Sequence, residues 1–193
     1  MKLFTFIVFF SLISVQVNGQ HTLTRQKVDN IKLYVADALR PLDARQSMFQ
    51  YGLNRPPKAF FIGNNERTVF TITEILDTLN SYNPNGKARQ YKRSLKLEKR
   101  FFKSSIYALG RDFTFLEDTI RYIDKRPFTV LEFTGLAEKE KNKQVFTSPI
   151  YRYIQYCFID DTKYVFNFSC PASRQKYWQS AVRQMMNSVI LKK

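Results

Sequence analysis

The sequence holds one histidine, His21, two cysteines, Cys157 and Cys170, and six glycines scattered over 193 residues. Each scarcity excludes something. A single imidazole near one end of the chain, where chains are usually disordered, leaves no partner for a serine or cysteine nucleophile and no usual general base. It also excludes a histidine-rich zinc site, and two cysteines are too few for a metal site by themselves. Scattered glycines form neither a P-loop nor a dinucleotide-binding fingerprint. No metal and no cofactor is expected.

Acidic residues are scarce as well: 16 Asp and Glu face 31 Lys and Arg, for a net charge of +15. Hydrolysis by carboxylates needs two acids facing one cavity, and the adjacent pairs are Glu117-Asp118 and Asp160-Asp161. Both fall at predicted turns, where such residues are solvated or cap the backbone. A hydrolase using acidic residues is therefore the weakest of three readings.

Long apolar runs are missing except at the start, "MKLFTFIVFFSLISVQVNGQ". Lys2, the 13-residue run from Leu3 to Val15 and the small or polar residues around Val17-Asn18-Gly19 have the form of a secretory signal peptide, cleaved after Gly19. The run is short of the roughly 20 residues a membrane-spanning helix needs. The expected organisation is a signal peptide over 1–19, a flexible polar leader over 20–30 and a single domain over 31–191. The location expected is secreted or periplasmic, with no membrane span after cleavage.

What the chain does have is aromatic residues, 18 Phe and 11 Tyr, and that much ring surface is normally buried or used at an interface. Its positive excess attracts polyanions such as acidic headgroups, glycans or an acidic protein. The plainer reading of the charge is solubility.

"IKLYVADALRPL" reads as a first strand and "DARQSMFQYG" as a short helix opened by Asp43 and stopped by Gly52. Pro56 and Pro57 forbid helix, and "GNNE" is a turn between the strands "KAFFI" and "RTVFTITEI". "DTLNSYNPNGK" is a loop by composition. In "KARQYKRSLKLEKRFFKSS", Ala88, Tyr91, Leu95 and Phe102 recur at helical spacing, while eight cations and the single acid Glu98 lie between Lys87 and Lys103.

This basic amphipathic helix carries the candidate polyanion-binding residues Lys92, Arg93, Lys96, Lys99, Arg100 and Lys103. Interleaved Tyr91, Phe101 and Phe102 resemble the ring platforms of single-strand nucleic-acid binders. The plainer alternative is a solvated helix whose rings face a sheet.

The remainder reads as a meander: "IYALGRDFTFL", "EDTIRYID", "PFTVLEFTGLA", a charged loop "EKEKNKQVFTSP", then "IYRYIQYCFI" and "KYVFNFSC". If the last two pair about a turn from Asp160 to Lys163, Cys157 faces Phe166 and Cys170 lies opposite Tyr153. That offset is about 13 Å, beyond the roughly 7 Å between Cα atoms that a disulfide tolerates. Two small buried thiols are expected. The closing helix starts near Pro171, and Tyr177, Trp178, Ala181, Val182, Met185, Met186, Val189 and Ile190 form its apolar stripe. Core packing is preferred here over a partner-binding face.

Three stretches carry a family resemblance: "MFQYGLNRPPKAFFIGNNERTVFTIT", "FTVLEFTG" and "YVFNFSCPASRQKYWQSAVRQMMNSV". They resemble the early helix, Pro-Pro strand and turn, and the closing strand, Cys-Pro-Ala turn and final helix, of the PsbP/Mog group. That group joins the photosystem II extrinsic protein PsbP, the Ran-binding protein Mog and many small exported bacterial proteins, of which the last are nearest.

The resemblance implies an α/β/α sandwich (α+β) with a central, mostly antiparallel twisted sheet and helices on both faces. It also implies an accessory or binding role without catalysis. No motif for Ran or photosystem binding is present to carry over. The leading expectation is a non-enzymatic exported protein whose partner is an envelope protein or complex. The alternative is binding to an anionic surface or glycan through helix 87–103, with nucleic acid disfavoured.

Overall fold

Apolar and aromatic residues alternate along "YRYIQYCFI" and "KYVFNFSC", and in the computed structural model both segments are central strands buried on their two faces. Residues 21–43, 45–47, 56–76, 88–141, 144–160 and 162–192 are described, with the backbone alone at 88–94, 138–141 and 144–147. The expected signal peptide and the loop 77–87 lie outside the described residues, as does most of the expected early helix. Its start is visible: residues 45–47 are helical, and Asp43 Oδ1 accepts bonds from the Arg45 and Gln46 amides, both at 3.0 Å.

A seven-stranded antiparallel sheet runs in the order β3 (Leu39–Leu42), β4 (Ala59–Gly63), β5 (Val69–Leu76), β9 (Thr162–Pro171), β8 (Gln144–Ile159), β7 (Arg126–Lys141), β6 (Gly110–Ile123). A smaller sheet joins β1 (Leu23–Val28), β2 (Ile31–Ala36) and β10 (Ile190–Leu191), with β2 in the middle. Helix α1 (Ala88–Tyr107) covers one face of the large sheet, where Leu95 and Ile106 pack on Leu131, Phe133, Ile154 and Tyr156. Helix α2 (Gln175–Asn187) and the small sheet cover the other, where Trp178, Val182 and Met185 meet Leu33, Tyr153, Phe166 and Phe168. This is the expected α/β/α sandwich.

Both helices follow from their spacing. Leu95, Phe102 and Ile106 lie on one face of α1, and the buried residues of α2 fall at Trp178, Ala181, Val182, Met185 and Met186. At the end of α2, Ser188 Oγ donates to the Met185 carbonyl at 2.6 Å and accepts the Tyr34 amide at 2.8 Å, tying the helix to β2.

Several expectations need correction. Residues 23–28, expected within a flexible leader, form β1 by pairing with β2. The expected first strand divides at Asp37-Ala38, so that β2 stays in the small sheet and β3 joins the edge of the large one. β6 is one strand with register shifts near Arg111 and Phe115, not two strands, and the charged loop is instead the continuation of β7 into β8.

A 3-10 turn, Ala172–Arg174, precedes α2, which ends before β10; Tyr177 and Ile190 of the expected stripe are exposed. The β8–β9 turn is tighter than expected, because Asp160 at φ 51° lets Ile159 pair with Thr162. Cys157 therefore faces Tyr164, and Cys170 faces Tyr151. Both thiols are free and buried, as expected.

Candidate functional site

The structure divides the six candidate residues of α1. Lys92 and Arg93 lie in the helix, but their side chains fall outside the described ones. Lys99 and Lys103 turn down onto β6, where each Nζ lies 2.6 Å from a carboxylate oxygen of Asp118. Lys103 Nζ also sits 4.1 Å from the centre of the Phe115 ring. Burial pushes the Asp118 carboxyl upward, but the bonds from Lys103 and Lys99 outweigh it and hold the group below the usual carboxylate range. A carboxylate shared by two ammonium groups cancels part of the field they would project into solvent.

Lys96 and Arg100 remain on the outer face, one helical turn apart and exposed. Leu97 and Phe101, also one turn apart, stand beside them at 51% and 67% exposure. Glu98 is drawn away from this face by Lys163, whose Nζ lies 2.9 Å from Glu98 Oε2. The described part of the outer face of α1 thus carries a mixed stripe of two cations and two large apolar side chains, suited to a surface that is acidic and partly apolar. It is less suited to a uniform polyanion, because two of the four visible cations are already paired.

The acidic pairs do not converge. Glu117 and Asp118 lie within β6 rather than at a turn, and neighbouring strand residues point to opposite faces. Glu117 forms an ion pair with Arg121, which reaches Asn187 at the end of α2, while Asp118 faces α1. Asp160 sits in the β8–β9 turn, and Asp161 is outside the described residues. Among the described residues, no group of three or more His, Cys, Asp or Glu could hold a metal ion. Among them, too, no helix is long and apolar enough to cross a membrane.

Sequence reasoning missed two polar features. Glu132 is fully buried in β7, accepting bonds from Tyr151 Oη at 3.0 Å, Gln179 Nε2 at 2.6 Å and Arg183 Nε at 2.9 Å. Its signal was an acid inside the apolar strand "FTVLEFTG". His21 was expected in a disordered leader, yet its ring stacks on Trp178 with centroids 4.2 Å apart and meets Tyr177 edge-on at 4.4 Å. Burial lowers its pKa, and Asp37 opposes that shift only in part.

No family model matches the chain, and no curated protein matches it. Solved structures do. The solution structure of cyanobacterial PsbP (CyanoP) from Synechocystis sp. PCC 6803 is 14% identical with a TM-score of 0.52, covering 94% of this chain and 99% of that one. The Ran-binding protein Mog1p of Saccharomyces cerevisiae is 10% identical with a TM-score of 0.51, covering 89% of this chain and 96% of that one. This chain has the PsbP/Mog-like fold. At such identities the PsbP/Mog-like likeness is one of backbone architecture, so the residues of α1 must be argued on their own chemistry.

Proposed function

We propose that this protein is an exported, non-enzymatic binding protein of the cell envelope that docks an acidic protein surface on the outer face of α1. Lys96 and Arg100 steer and orient the partner, and Leu97 and Phe101 supply the apolar area that holds it. The observation that carries this reading is the exposure of Leu97 and Phe101 beside two cations that have no ion-pair partner among the described residues. The likeness in fold to the Ran-binding protein Mog1p supports a role in protein recognition. The separation of Glu117 and Asp118 onto opposite faces of β6 supports a role without hydrolysis.

Polyanion binding through all six basic residues of α1 has less support, because Asp118 occupies Lys99 and Lys103. The deciding experiment is a pull-down with residues 20–193 from native envelope extract at low and high salt. A protein partner retained at high salt by the wild type, and lost with Phe101→Ser combined with Lys96→Glu, is the expected result. Binding that disappears at modest salt and ignores Phe101→Ser supports the polyanion reading instead. Recovery of a free monomer alone overturns both.

A further inference from the structure

Beneath the C-terminal turn of α1, against β6, β7 and β8, lies a cavity of about 160 Å³ whose walls include Ile106, Leu109, Phe113, Phe133 and Ile150. Among the described residues that line it, every side chain is apolar except that of Arg152. Arg152 sits on β8 in the alternation that sends Ile154 and Tyr156 toward α1, so it enters the inner side of the helix layer. Its Nε is shielded from solvent and makes no hydrogen bond among the described residues. Burial depresses its pKa, and among the described residues no carboxylate acts against that shift. Arg152 as a whole is half-buried, and a partly desolvated cation with no counter-charge among the described residues is held at a cost that a bound anion would offset.

The walls say what kind of anion fits. Phe113 and Phe133 meet edge to face, with centroids 5.6 Å apart at 88°. Gly135 makes room for the first of these rings, since a Cβ there would collide with Phe113. Leu109 is 61% exposed at the rim, which leaves a way in from solvent. An apolar cavity of about 150 Å³ takes up benzene, so the space here suits one small ring or a short branched chain. A guanidinium fork matches a carboxylate with two parallel hydrogen bonds.

We propose that this cavity binds a small carboxylic acid with an apolar body about the size of benzoate, its carboxylate paired with Arg152. The site is on the inner side of α1, so it stands apart from docking on that helix's outer face. Residence of the acid supplies a counter-charge and fills the apolar space in one step.

The test is calorimetric titration of the full-length protein with sodium benzoate, sodium acetate and benzyl alcohol at fixed ionic strength, with thermal unfolding alongside. Benzoate should bind saturably and at least about tenfold more tightly than either control, as a charge-assisted pair added to apolar burial requires. Arg152→Met should lose that preference and, without ligand, unfold at a higher temperature than the wild type, because it removes a partly desolvated charge that has no partner among the described residues. Ala137 also lines the cavity, so Ala137→Phe should fill it and abolish binding with Arg152 intact, and one readout survives if the first variant fails to fold. Equal binding of acetate and benzoate overturns the proposal. So does undiminished benzoate binding by Arg152→Met or by Ala137→Phe, or a lower unfolding temperature for a folded Arg152→Met.

Discussion

Arg183 Nε lies 2.9 Å from Glu132 Oε2, so a partly exposed cation on α2 meets a fully buried carboxylate on β7, one strand in from the sheet edge. Tyr151 and Gln179 complete the cage around the other carboxylate oxygen, and the same charge adds to burial in pushing the Tyr151 hydroxyl pKa up. Removing the cation leaves a desolvated carboxylate behind. Arg183→Met should therefore destabilise by about 3 kcal/mol. Glu132→Gln keeps a hydrogen-bonding shape and frees an arginine that can reach water, so its loss should stay below about 1.5 kcal/mol. Urea unfolding of the two variants checks the order, and a reversed order would refute this account.

His21 should make stability depend on pH. Its pKa is lowered from 6.5 by burial against Trp178 and Tyr177, so the unfolded chain takes up the proton more readily than the folded one. The stabilisation is complete above 6.5 and is lost as pH falls below that value toward the folded pKa. His21→Phe keeps a ring on Trp178 and removes the titration. Between pH 7 and pH 5 the urea midpoint of the wild type should fall further than that of His21→Phe, and parallel curves would exclude His21 as the sensor.

The elements legible in the sequence were those whose pattern coincides with burial. β8 and β9 alternate aromatic residues on a sheet covered on both faces, and α2 repeats its apolar residues at helical spacing over Tyr153 and Phe168. β1 was illegible because "LTRQKV" is the polar edge of the small sheet, where pairing with β2 stabilises the strand without a buried face. The β7–β8 hairpin was cut short for a related reason: backbone pairing from Lys141 to Gln144 continues through charged residues that pattern reading assigns to a loop. At the site, the basic helix was visible, but the grip of Asp118 on Lys99 and Lys103 depends on packing between elements 15 or more residues apart. Glu132 and Arg152 were visible as charges interrupting aromatic strands, and their pairing, or lack of it, required the third dimension.

Gly135 and Gly63 offer a controlled comparison. A methyl group at Gly135 meets the Phe113 ring, whereas one at Gly63 comes to 3.0 Å from Thr68 Cβ. Forcing a ring aside in a packed layer costs about 1–3 kcal/mol, so Gly135→Ala should be distinctly the more destabilising of the two. Thermal unfolding reads the difference, and equal losses would mean that Phe113 swings away freely.

Trp178 is 4% exposed and Met185 is fully buried, both in the layer between α2 and the sheet. Truncating either to alanine should destabilise by about 2–5 kcal/mol through lost contacts and the cavity left behind. A variant that kept full stability and lost a binding partner would move the working surface from α1 to α2.

The cysteines should be chemically silent in the native protein. Cys170 lies opposite Tyr151 on β8, and Cys157 is six residues further along that strand, or about 20 Å away, so no intramolecular disulfide can close without unfolding the hairpin. Burial raises both thiols to about 12, with Arg126 and Arg174 offsetting the shifts only in part. The nucleophile is the thiolate, and at pH 8 it is both scarce and shielded. Labelling with a thiol-reactive disulfide reagent should therefore be negligible in buffer and should proceed at both positions in denaturant, at a rate that follows global unfolding. Rapid labelling of one cysteine under native conditions would reveal a local opening of β8 or β9, and would identify the strand that moves.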